Sequence, residues 1–184
     1  MRAEIMRNQL INRLSVNDIY SLCLQTQGKE NNCLKEELYQ LTFDENDRVS
    51  FNALWALCHF DEANNPWLFQ KHEELIDRVL VEKNETKCRL MLHLLLRQPF
   101  EEESLRSDFI DFCIAKITAC SQPYAIRCYC MKLAYGQMKY YPELLTELKA
   151  ALDMLEQEAL SPGLLSAKRQ IMKKIKRSLG KFGK

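Results

Sequence analysis

Eight cysteines, three histidines and a dense group of basic residues near the end are the side chains here whose chemistry could define a function. A structural zinc site needs closely spaced thiolate and imidazole ligands, usually with a Cys-x-x-Cys or Cys/His pair among them. The cysteines stand at positions 23, 33, 58, 88, 113, 120, 128 and 130 with no Cys-x-x-Cys, and His59, His72 and His93 complete no ligand pattern. Cys128 and Cys130 lie two apart, which on a helix points them in different directions. The expected role of these thiols is therefore that of small apolar side chains in a reducing compartment, with neither metal nor cofactor. Catalytic templates are missing as well: there is no phosphate loop, no dinucleotide fingerprint, no Gly-x-Ser-x-Gly and no His-Glu-x-x-His, since His72-Glu73-Glu74 lacks the second histidine. The acid pairs Glu36-Glu37 and Glu73-Glu74 read as solvated helix faces, so no catalytic residue is expected.

The basic group gives the sharper signal. The chain has a net charge of +1, yet Leu164 to Lys184 carries eight Lys and Arg and no acid, so that residues 1–163 must sum to −7. Within it Leu164, Ile171, Ile175, Leu179 and Phe182 recur at helical spacing, while Arg169, Lys173, Lys176, Arg177 and Lys181 face away. One role for such a helix is a polar cap on a helical stack. The other is a binding surface, for which Lys173, Lys174, Lys176, Arg177 and Lys181 are the candidate partner- or nucleic-acid-contacting residues. A polyanion would meet an acidic chain elsewhere, and Phe182 is the only aromatic ring interleaved with these cations.

The elements that must position these residues are helices. Only five Gly and five Pro punctuate 184 residues, apolar residues recur at helical spacing, and no stretch alternates long enough to predict a strand. Segments 47–83, 85–120 and 123–160 overlay as helix pairs, with second helices expected over Trp67–Lys83, Glu101–Cys120 and Pro142–Leu160 and the acids Glu101, Glu102 and Glu103 favouring a helix N-terminus. Val49 to Leu57 aligns with Lys87 to Leu95 at an offset of 38, the same offset reaches Ala125 to Leu133, and a further 42 reaches Ala167 to Ile175. Arg89, Arg127 and Arg169 then share a position, as do Trp55, His93, Met131 and Lys173. Exposed, Trp55, His93 and Met131 would form a surface strip suited to a ligand or peptide; buried, they are core. Pro66, Pro142 and Pro162 suit first helical turns, Asn65 and Ser161 suit N-caps, and Gly136 and Gly163 suit helix ends.

A helix pair repeating at about 38 residues, with a recurring Arg, resembles the HEAT and armadillo class of helical repeats. The resemblance implies an all-α, short α-α superhelix: a HEAT-like solenoid of about four helix pairs. The expected plan is one domain over 1–184, comprising an N-terminal helix over 1–14, pairs over 16–43, 47–83, 85–120 and 123–160, and a basic capping helix over 162–182. It also implies a non-enzymatic module that holds a protein partner. The alternative is a nucleic-acid-binding protein related to the HEAT-like DNA alkylation-repair glycosylases, whose Trp, Asp and Arg would have to be supplied by Trp55, Trp67, Asp77 and Arg127. Arg2, Glu4, Arg7 and Arg13 interrupt the N-terminal apolar residues, and no apolar run approaches the roughly 18 residues of a membrane span. A cytoplasmic location is expected.

Overall fold

Asparagines placed 38 residues apart open two of the helices. The Asn46 side-chain oxygen accepts the N–H groups of Arg48 and Val49 at 3.0 and 3.3 Å, and Asn84 accepts those of Thr86 and Lys87 at 3.0 and 3.2 Å. Each therefore satisfies two donors that a helix start leaves without an intrahelical acceptor. Ser15 and Asp18 open another helix through a reciprocal capping box, and Ser161 accepts Leu164 N–H at 3.3 Å, as the sequence predicts.

The computed structural model describes residues 2–157 and 160–182, and the side chains of all of these except residues 2, 3, 156 and 157. Eleven α-helices and four short 3-10 turns, with no strand, make up the regular structure of the described residues. The described residues are thus all-α, and the chain divides into two compact units. The first unit, Met1–Leu75 with Glu82–Arg97, holds α1 (Arg2–Leu10), α2 (Val16–Thr26), α3 (Asn32–Gln40), α4 (Asp47–Cys58), α5 (Asn65–Phe69), the start of α6 (His72–Val81) and α7 (Glu85–Leu96). Here α4 is central and packs on α1, α2, α3 and α7. Val49, Ala53, Leu54, Ala56 and Leu57 bury its contact faces. The second unit, Ile76–Val81 with Gln98–Lys184, holds the rest of α6, α8 (Ser107–Thr118), α9 (Tyr124–Met138), α10 (Pro142–Asp153) and α11 (Pro162–Phe182). Its central helix is α9, which packs on α8, α10 and α11.

Several helices depart from the expected spans, each for a local reason. The N-terminal helix stops at Leu10 rather than 14, because Asn52 Nδ2 donates to the carbonyls of Leu10 and Asn12 at 2.7 and 3.1 Å and fixes the turn. The expected helix over Trp67–Lys83 breaks at Gln70 and Lys71, whose amides bond three residues back to Trp67 and Leu68. At the break, Lys71 Nζ pairs with Glu36 at 2.7 Å and lies 5.0 Å from the Tyr39 ring centre, a tertiary anchor that no local propensity announces. The helix expected from Glu101 starts at Ser107. Glu101 instead opens the 3-10 turn Glu102–Ser104, and extended Arg106 is held by its N–H to Gln137 and its guanidinium to Asp77 and Asp108. Asn65 is not an N-cap but the first residue of α5, and its side chain receives Arg97. Gly136 lies inside α9, where a Cβ would stand 3.1 Å from Phe100 Cδ2; Gly163 sits in the first turn of α11. The close of the segment expected over 123–160 includes residues 158 and 159, which lie outside the described residues.

Candidate functional site

In α11 an apolar stripe and a charged stripe run side by side. Leu164, Ile171 and Ile175 are buried against neighbours in the second unit, as the spacing predicts, and Ala167 joins them, whereas Leu179 is half-buried and Phe182 is 49% exposed and does not extend that stripe. Rotated from it, Leu165, Arg169, Met172, Lys173 and Lys176 recur at helical spacing along one wall of a groove of about 840 Å³. Leu155 and Leu160 complete an apolar floor with Leu165 and Met172. The rim is cationic: Arg169, Lys173, Lys176 and Arg177 are exposed, and Lys168 is buried at its base. No Asp or Glu lines the groove among the described residues.

The candidate basic residues do not act as one group. Lys173, Lys176 and Arg177 line the groove. Lys174 lies elsewhere on the helix, with its Nζ 5.5 Å from the centre of the Tyr135 ring, and the Tyr135 hydroxyl is 3.0 Å from Ser178 Oγ. Lys181 is exposed beyond the groove. Lys168 and Arg169 join the lining although the sequence reading did not select them as contact residues. Their i, i+4 and i, i+8 spacing from Met172, Lys173 and Lys176 was the available signal.

Of the two roles open to Trp55, His93 and Met131, the core role fits Met131. Met131 is fully buried, as α9 is covered by three helices, so it cannot contribute an exposed side chain. Trp55 and His93 are half-buried in the first unit. The Trp55 ring meets His59 edge-on at 6.0 Å and Phe51 at 6.0 Å, and the exposed Tyr20 ring meets His59 edge-on at 5.4 Å. The three register-equivalent arginines also diverge. Arg89 is half-buried, Arg169 stands on the groove rim, and Arg127 is 2% exposed with its Nε donating to the Ile117 carbonyl at 2.9 Å, in the last turn of α8.

One cation that the sequence reading missed organises the first unit. Arg97 donates to Asn65 Oδ1 from Nε and Nη2 at 3.0 and 2.7 Å, to the Leu57 carbonyl at 3.2 Å and to the Asp61 carbonyl at 3.2 Å. It thereby closes the C-terminal end of α4, and burial pulls its pKa below the ordinary arginine value. Nothing local signals this contact, because Arg97 follows α7 and reaches back 40 residues to the end of α4.

The thiols divide by burial. Cys23, Cys88, Cys113 and Cys130 are buried as expected, while Cys33 and Cys120 are exposed, and no disulfide joins any of the eight. Cys23 and Cys58 donate to the carbonyls of Ala56 and Leu90, and burial pushes their pKa values up to about 11 and about 12. No group of three His, Cys, Asp or Glu among the described residues is placed to hold a metal ion, and no described helix is long and apolar enough to cross a membrane.

Comparison with known proteins bears on the whole chain. A family profile described as a HEAT repeat domain matches residues 6–175, which takes in α11 as far as Ile175. No curated protein and no solved structure gave a match.

Proposed function

Because the chain belongs to the HEAT repeat domain family, whose stacked helix pairs bury one another and leave side-chain surfaces for contact, we propose that it is a non-enzymatic protein-interaction module with its partner seated in the α11 groove. The observation that carries this reading is the pairing of an apolar floor, Leu155, Leu160, Leu165 and Met172, with an exposed rim of Arg and Lys. A solvated cap needs only the cations. An open apolar floor beside them is the surface that protein interfaces use at their centre, with charge at the edge supplying steering and register.

The cations also favour a second reading, nucleic-acid binding. Phosphates would be drawn to Arg169, Lys173, Lys176 and Arg177. Against it, no aromatic ring among the described residues lines the groove to stack a base. The residues that a repair glycosylase would recruit are engaged in structural contacts. Arg127 is buried against Ile117, Asp77 pairs with Arg106, and Trp67 packs on Tyr39 and Phe60.

A photo-crosslinking residue placed at Met172 tests the proposal in nuclease-treated extract of the source cells. Discrete protein adducts are expected, and they should disappear when Lys173, Lys176 and Arg177 are all changed to Glu. Adducts to nucleic acid alone in untreated extract, or protein adducts indifferent to the triple change, overturn it. Binding of fluorescent duplex and single-stranded DNA at low and moderate salt tests the second reading with the same triple variant. Truncation before Leu164 is the poorer control because it removes Leu164, Ile171 and Ile175 from the core.

A further inference from the structure

Resting on the reading that the α11 groove holds a protein, we propose that its occupant is an acidic amphipathic helix of the partner, about three turns long. It would lie along α11 with apolar side chains on the floor and carboxylates on the rim.

Length and backbone chemistry argue for a helix. From Leu165 to Arg177 the wall extends about 18 Å at the rise of an α-helix, which matches a little over three turns of a second one. An extended peptide would instead need an open backbone edge to pair with, and no strand exists among the described residues. Along this wall the backbone of α11 is committed to its own ladder, so an occupant has to satisfy its own backbone groups, as a helix does.

Charge and softness argue for its composition. Arg169, Lys173, Lys176 and Arg177 are exposed along the rim and no Asp or Glu among the described residues lines the groove, so Asp and Glu flanking an apolar stripe complement it. Met172, unbranched and polarizable, lies between Leu165 and the rim and can adapt to Leu, Met or Phe anchors. A phosphate backbone brings charge but nothing for the floor.

The probe is a labelled synthetic peptide of about three to four turns, with Leu at i, i+4, i+7 and i+11 and Glu at most other positions. It is titrated into the full chain by fluorescence anisotropy. The expected result is a Kd of about 10 μM or tighter at low salt, a gain in peptide helicity on binding, and at least a tenfold loss with Met172→Glu. A scrambled peptide of the same composition should also bind at least tenfold more weakly. Lys173→Glu/Lys176→Glu/Arg177→Glu should lose the acidic peptide and gain its Lys-for-Glu counterpart, which shows that the variant is folded. Equal binding of the scrambled peptide, tighter binding of duplex DNA that ignores Met172→Glu, or no peptide binding each overturns the acidic-helix assignment. If the peptide fails while protein cross-links at position 172 persist, the surface stands and the occupant's chemistry is wrong. If both fail, the reading of the groove falls with it.

Discussion

Replacing Arg97 with Ala should destabilise the protein by about 2–4 kcal/mol. The guanidinium makes two contacts to Asn65 Oδ1, at 2.7 and 3.0 Å, and one each to the carbonyls of Leu57 and Asp61, both at 3.2 Å. A hydrogen bond from a charged donor contributes about 1.5–3 kcal/mol net, and the loss falls mainly on half-buried Asn65, because the Leu57 and Asp61 carbonyls also accept the N–H groups of Phe60 and Asn64. The sum is not fully realised, since Arg97 is half-buried and water can reach part of the vacated site. For a chain of this size the loss corresponds to a fall in Tm of roughly 4–16 °C. Arg97→Lys keeps the charge but not the fork, so it should recover at most one acceptor and about half the stability. Asn65→Ala removes the best acceptor and should cost about 1 kcal/mol, with a coupling to Arg97→Ala of about 1 kcal/mol or more in a double-mutant cycle. Urea unfolding followed by far-ultraviolet circular dichroism reads the parent and all four variants, with unchanged m-values as the check that the unfolded state is the same. A loss below about 0.5 kcal/mol in Arg97→Ala, or full stability in Arg97→Lys, refutes the argument that this fork closes α4.

Acid should weaken the fold through carboxylates whose pKa lies below the ordinary value. Asp44 is lowered chiefly by its hydrogen bond with Arg7, and Asp108 chiefly by its hydrogen bond with Arg106. Stability from such groups is complete above the unfolded value, about 3.9, and lost as pH falls through the lower folded one. The urea midpoint should therefore be flat above about pH 5 and fall below about pH 4, less steeply in Asp44→Asn. Thiol labelling by Ellman's reagent should modify Cys33 and Cys120 rapidly in the native protein, while Cys23 and Cys58, with pKa values pushed up to about 11 and about 12, wait for denaturant. Fast native labelling of Cys23 contradicts its burial. Gly136→Ala gains about 1 kcal/mol of helix propensity, but its Cβ would stand 3.1 Å from the buried Phe100 ring, itself stacked on Phe109. Calorimetry should find this variant no more stable than the parent, and a Tm increase of about 3 °C would show that Phe100 yields.

The helical class was legible because apolar spacing is a local signal. α4, α7 and α9 contain the segments aligned by the 38-residue offset, and Ser161 caps α11 as its type and position predict. What the sequence hid is tertiary. The apolar pattern through Leu68, Leu75 and Val79 continues across the break at Gln70, because the break is made by Lys71 reaching Glu36 and Tyr39. Three consecutive acids looked like a helix start, yet Arg106 is held extended by partners at positions 77 and 137. Of the candidate site, the basic stripe was readable and the groove was not, since Leu155 and Leu160 come from the segment before α11. Register alone also misled, because Arg89, Arg127 and Arg169 share a repeat position but sit half-buried, buried and exposed.

The distance along the chain between Arg97 and the carbonyls it caps has a consequence for synthesis. Leu57 precedes its donor by 40 residues, as Asp47 precedes Lys87, while Leu10 waits 42 for the amide of Asn52. At about 5–20 residues per second, a ribosome takes roughly 2–8 s to deliver each missing group. In that interval the Ala56 and Leu57 carbonyls keep only the local N–H groups of His59 and Phe60, and the fork that ties the end of α4 to Asn65 and Asp61 is missing. Translation pauses between positions 58 and 97 thus prolong an unfinished helix end, whereas pauses after Arg97 has emerged leave the first unit with all its parts.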